Sequence, residues 1–265
     1  MLYRVIKAGF FIPVVSWLLR PKLLHVERIP EQGAAIIAAN HICWGDTFSL
    51  PTLLKRKLHF ASKQELFEMR GIKALMGVFL RIAGQIPIDR SGGRKAAETL
   101  RPLLEALEEG ELVGIFPEGT RSPDGRMYRY HTGVARLTLL SGVPVIPVGM
   151  IDTQIRRWLI FPTMRQARII VGEPLDFSEY AARSDDQVVL RWVANEIARH
   201  VQELTSQVYV DVYGTRLKSG QLSVEQSQSY VKVHPNIGIT PPPAYENPLQ
   251  PSAAVMLPST GGGTP

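Results

Sequence analysis

His41 and Asp46 stand five positions apart in Asn40-His41-Ile42-Cys43-Trp44-Gly45-Asp46, across a glycine-containing turn. That spacing lets the carboxylate fold back onto the imidazole. A carboxylate on one ring nitrogen fixes the tautomer and leaves the other nitrogen free as a base. The same residues allow a plainer arrangement, with Asp46 capping a following helix and His41 a satisfied loop histidine. A second group, Phe116-Pro117-Glu118-Gly119-Thr120-Arg121-Ser122, sets an arginine fork beside hydroxyls and loop amides. Such a set matches a phosphate, with Glu118 neutralising or positioning the arginine. Its plainer alternative is a Gly-Thr turn with a surface ion pair. A third group runs Ile86-Pro87-Ile88-Asp89-Arg90 and then Ser91-Gly92-Gly93-Arg94-Lys95 into a helix. The free N–H groups of a helix start, with basic side chains around them, suit a phosphate. An exposed basic turn fits the residues too.

Other chemistries find less support. Cys43 is the one cysteine, which forbids an internal disulfide and suits a reducing compartment. The six histidines are scattered without zinc spacing, so no metal is expected. Cys43 lies two residues from His41, the pattern of a thiol nucleophile beside its base. A Gly-x-Ser-x-Gly elbow, the mark of many hydrolases, is missing.

The elements that must position these groups alternate in type. Apolar runs at Ala34–Ala39, Lys57–Ser62, Gln85–Ile88, Leu112–Phe116, Val143–Met150 and Arg168–Val171 read as strands. Helical periodicity marks Gly71–Ala83, Gly93–Glu109, Thr132–Ser141 and Asp186–Val208. Strands alternating with helices predict an α/β fold: a single layered domain with a largely parallel or mixed central sheet flanked by helices. Both the His41 and the Glu118 groups follow strands directly, where such folds place ligands.

The chain has 265 residues, enough for one large domain, with 30 Lys and Arg against 24 Asp and Glu. Mean hydropathy is zero, which argues against a polytopic membrane protein and a wholly disordered chain. Residues 1–218 carry a net charge of +7, a basic body suited to an anionic partner. Residues 1–24 read as a short membrane-interface helix. Its uncharged run Ala8–Leu19 holds 12 residues. A helix of that length spans roughly 18 Å, against about 30 Å for a bilayer core. Phe10, Phe11 and Trp17 with flanking Arg and Lys suit an interfacial anchor. Residues 25–218 form the domain. Residues 219–265 hold 8 Pro, 5 Gly and 6 Ser and read as a disordered tail dispensable for activity.

Taken in order, four blocks resemble those of the glycerolipid acyltransferases, and within them the lysophosphatidic acid acyltransferase branch. They are His41-x4-Asp46, Gly84–Arg90, Phe116–Arg121 and Val143–Val148, and Tyr209–Gly214 is similar to the end of many bacterial members. The resemblance spans about residues 25–215. It implies that His41 is a general base oriented by Asp46. It also implies that Arg90, Glu118, Gly119, Thr120 and Arg121 bind the acceptor, its phosphate above all. The implied reaction moves an acyl group from acyl-CoA or acyl-carrier protein to the free hydroxyl of lysophosphatidic acid, with no metal or bound cofactor. A direct attack of this kind leaves Cys43 without a role. The implied place is peripheral or monotopic on the cytoplasmic face of the cell membrane, with no nucleic acid as partner. A different lysophospholipid or glycolipid acceptor, or a catalytically silent lipid-binding protein, would share these features.

Overall fold

The computed structural model describes residues 21–43, 45–64, 67–68, 77–78, 80–81, 84–88, 96–153, 156–158, 161–163 and 167–244, with Gly9 and Pro13. Four expectations therefore lie outside the described residues, wholly or largely. They are Arg90, the basic turn after it, the apolar run Ala8–Leu19 and the helix expected over Gly71–Ala83.

The frame is a seven-stranded sheet. Its strands are β1 (Lys22–Leu24), β2 (Ala35–Ala39), β3 (Leu58–Lys63), β4 (Gln85–Ile88), β5 (Leu112–Ile115), β7 (Val145–Ile151) and β10 (Arg168–Val171). They lie in the order β1-β10-β7-β2-β5-β3-β4. From β7 to β4 every pairing is parallel, and β10 runs antiparallel to β7. Outside this sheet are β6 (Met127–Tyr128), the hairpin β8 (Arg156–Trp158) and β9 (Phe161–Thr163), and β11 (Tyr209–Val210) with β12 (Val231–Lys232). The mixed, mostly parallel sheet is the one the alternating pattern predicts. Lys22–Leu24 pair with β10, so the domain begins before residue 25, inside the segment expected to serve as the interface helix.

Strand β2 is at the centre, and all five of its residues are buried. Side chains alternate across a strand, so it feeds two cores. Ile36 and Ala38 join the core beneath the helices α2 (Ala96–Glu108), α3 (Gly133–Ser141) and α4 (Gln187–Thr205). Ala35, Ile37 and Ala39 join the opposite core, with Leu50 and Leu54 of and just after α1 (Asp46–Leu53). This two-sided burial explains why β2 reads as a continuous apolar run, not as an alternation. Helix α4 starts at Asp186, whose carboxylate accepts from the amides of Val188 and Val189, a side-chain cap. Its buried stripe Val189, Val193, Ile197 and Val201 follows the expected period.

Residues 219–244 depart from the expected disorder. Val231 and Lys232 pair antiparallel with β11, which itself runs parallel to β6. Leu222 is buried with Tyr128, Val210 and Val212. The Ser227 hydroxyl accepts from Arg126 at 2.6 Å, and the Asn236 amide donates to Glu196 at 3.0 Å. The Tyr180 hydroxyl donates to the carbonyl of Pro242 at 3.1 Å. Composition misleads here, because most of the segment's apolar side chains stay exposed while backbone pairing and polar contacts tie it to the domain. Among the described residues no helix is long and apolar enough to cross a membrane.

A chain ended at Lys218 loses these contacts. It is expected to unfold at a temperature lower by roughly 5 °C or more, read by a thermal melt beside the full chain. An unchanged melt would show that the segment adds nothing.

Candidate active site

Neighbouring parallel strands bring the first two chemical groups together. β2 and β5 pair with Ala38 opposite Ile115, so the chain leaving each emerges at the same edge of the sheet. His41 follows β2, and Phe116–Ser122 follow β5.

The His41–Asp46 pair forms as the spacing allows. Nδ1 of His41 lies 3.0 Å from Oδ2 of Asp46. The same oxygen accepts from the amides of Ile42 at 2.7 Å and Cys43 at 2.8 Å. Asp46 is fully buried. Its carboxylate is thus spent on the turn behind it, and no side-chain cap joins the start of α1. The plainer helix-cap arrangement is not the one adopted. In a neutral ring, a carboxylate on Nδ1 favours the tautomer that has that nitrogen protonated and Nε2 free.

The His41 ring is held from the side as well. It stacks on Phe116 with centroids 4.1 Å apart, and Phe116 stacks on Phe60 at 4.9 Å. Phe60 in turn occupies the space over Gly114, where a Cβ would meet its ring at 2.5 Å. A glycine in β5 therefore makes room for the row of rings that orients the imidazole.

The loop after β5 is bracketed onto His41. The His41 amide donates to Oε1 of Glu118 at 3.2 Å, and the Ser122 amide donates to the His41 carbonyl at 2.7 Å. Oε2 of Glu118 accepts from the Tyr128 amide at 3.1 Å. Glu118 is only 1% exposed. It clamps backbone; it does not reach toward a ligand. Burial is the chief cause that pushes its pKa up to about 8, against the pull of the two amides. Gly119 turns the loop with φ 69°, and a Cβ there would meet the His131 ring at 2.9 Å.

The arc that remains at the surface is Gly119, Thr120 and Arg121. Arg121 is exposed and makes no hydrogen bond or ion pair with a described residue. Lys218, which the sequence gives no reason to place here, donates to the Thr120 hydroxyl at 2.7 Å.

Cys43 is poorly suited to act as a nucleophile. Its thiol donates to the Thr153 carbonyl at 2.9 Å and lies 3.6 Å from Oδ1 of Asp46. Burial and that neighbouring charge raise its pKa, which keeps the proton on sulfur. Among the described residues no group of His, Cys, Asp and Glu can hold a metal ion.

Comparison with known proteins places these features in context. The family model described as Acyltransferase matches residues 20–151. A 1-acyl-sn-glycerol-3-phosphate acyltransferase of Bacillus subtilis is 29% identical over 162 residues, which are 60% of this chain and 76% of that one. A chloroplastic 1-acyl-sn-glycerol-3-phosphate acyltransferase of Arabidopsis thaliana is 28% identical over 58% of this chain. That match covers less than half, 43%, of the plant protein's own length. The crystal structure of the 1-acyl-sn-glycerophosphate acyltransferase of Thermotoga maritima superposes with a TM-score of 0.51 at 25% identity, covering 76% of this chain and 79% of that one.

The Glu118 clamp sets a pH dependence. In the folded chain Glu118 holds its proton up to about pH 8, while an unfolded glutamate releases it near 4.5. The native state binds the extra proton between these values. Its stabilising contribution is full below about 4.5 and is lost as pH rises to about 8. Glu118→Gln removes that slope and sets an N–H against one backbone donor, at a cost of roughly 1–3 kcal/mol. Urea unfolding of both proteins from pH 5 to 8 reads slope and offset together. Equal slopes would refute the assignment.

Proposed function

The chain belongs to the acyltransferase family, and on that footing we propose that it transfers an acyl group from a thioester donor to the free hydroxyl of lysophosphatidic acid. The product is phosphatidic acid. The observation that carries the reading is the buried Asp46 carboxylate on Nδ1 of His41, set against a loop whose exposed arc holds Thr120 and Arg121.

In the proposed reaction Nε2 of His41 takes the proton of the acceptor hydroxyl. The hydroxyl oxygen bonds to the thioester carbonyl carbon. The tetrahedral intermediate then collapses, the carbon–sulfur bond breaks, and the thiol of coenzyme A or acyl-carrier protein leaves with a proton. Asp46 stabilises the imidazolium that forms in between. Positioned proton transfer of this kind supplies about 10²–10⁴ in rate. Cys43 stays a thiol and plays no covalent part.

Glu118 acts through the His41 backbone, and Thr120, Arg121 and Arg90 meet the acceptor phosphate. The donor is acyl-CoA or acyl-carrier protein as co-substrate, and the reaction calls for no metal or bound cofactor. Because acceptor and product are lipids, the enzyme works at a membrane surface, with the basic charge of residues 1–218 favouring acidic lipid. Its place is then the cytoplasmic face, where the thioester donors are.

The test incubates purified protein with lysophosphatidic acid and acyl-CoA, then with acyl-carrier protein, and follows free thiol and phosphatidic acid. His41→Ala is expected to lose about 10²–10⁴ in turnover. Asp46→Asn keeps the shape and one oxygen for the Ile42 and Cys43 amides but loses the charge that stabilises the imidazolium, and is expected to be strongly impaired. Thiol release without an acceptor would indicate a thioesterase instead.

A further inference from the structure

Lys218 closes α5 (Gly214–Lys218), far along the chain from the loop it touches. Its ammonium donates to the Thr120 hydroxyl across 98 positions of sequence. The contact is held in place by the residues before and after it. Tyr213, just ahead of α5, stacks on His131 with centroids 4.4 Å apart, and Arg191 donates to its hydroxyl at 3.1 Å. Gly214 lies close against Thr120, where a Cβ would sit 3.2 Å from the threonine methyl. After the helix, the Leu222 amide returns to the Arg216 carbonyl at 3.2 Å. The lysine is thus delivered to the loop by packed structure.

Its charge is unbalanced there. Lys218 and Arg121 face one another electrostatically, and among the described residues neither forms a salt bridge. The nearest carboxyl acting on Lys218 is Glu118, which holds its proton up to about pH 8. Desolvation first, and then Arg121, lowers the Lys218 pKa. The Lys218 ammonium on the Thr120 hydroxyl, with Arg121 next along the loop and repelling it, forms an arrangement that a dianionic phosphate would relieve. Thr120, while accepting from Lys218, still has its own O–H to donate.

We propose that Lys218 is a phosphate-binding residue of the acceptor site, completing with Thr120 and Arg121 a clamp supplied from two stretches 98 positions apart. This rests on the acyltransferase reading above and adds to it a residue outside the matched region 20–151.

The test measures KM and kcat for Lys218→Ala, Lys218→Gln and Lys218→Arg beside the unchanged enzyme. The acceptors are lysophosphatidic acid and monoacylglycerol, which lacks the phosphate. Loss of one charge-assisted contact is expected to raise KM for lysophosphatidic acid by about 10- to 100-fold with little change in kcat. Lys218→Arg is expected to restore most of it, and KM for monoacylglycerol to stay put. An active Lys218→Ala with unchanged KM for lysophosphatidic acid would overturn the role of Lys218 alone. An equal rise for both acceptors would overturn it too, since a merely structural residue acts on both. A folded, unchanged enzyme that acylates neither acceptor would overturn the functional reading beneath it.

Discussion

Glu118 ties its own loop to a residue 77 positions earlier, accepting from the His41 amide there and from the Tyr128 amide 10 positions later. With Ser122 returning to the His41 carbonyl, the loop after β5 is fastened to the peptide groups on both sides of the histidine. The imidazole and the arc Gly119–Arg121 are therefore tied together through backbone contacts. Burying a carboxyl is costly unless it is hydrogen-bonded or neutral, and here it is both bonded and inclined to keep its proton. The rest of the site follows from that fastening. The parallel register of β2 and β5 sets the distance the clamp must span, and the rings of Phe116 and Phe60 fill the wall behind it.

Much of the frame was legible in the residues. Gln85–Ile88 and Arg168–Val171 form strands with the bounds their apolar runs suggest, and α4 lies within the helix expected over Asp186–Val208. These are elements whose burial dictates their periodicity. The His41–Asp46 contact was legible because it is local, five positions long. The partners of Glu118 and of Lys218 were not, since no spacing encodes contacts across 77 and 98 positions. Glu118 in particular reads as a charged loop residue, and only the fold reveals that it is buried and turned toward backbone.

The C-terminal stretch escaped for a different reason. Residues 219–244 contribute few side chains to a core, so hydrophobic pattern carries no signal of their order. They are held by strand pairing with β11, by Ser227 against Arg126 and by Asn236 against α4. Every residue but proline offers a backbone N–H, and the pairing residues here are Val231 and Lys232, so the prolines elsewhere in the stretch do not prevent the strand from forming.

Ahead of this stretch, Gln207 ties the two loops together as well. Asn40, the residue before His41, donates to the Gln207 side chain, 167 positions later in the chain. Gln207 passes the connection to the Gly125 carbonyl in the loop region after β5. A chain ended after β7 would hold both loops but lack Gln207, the residue that links them. The two loops are thus joined through a residue that lies beyond every strand of the main sheet.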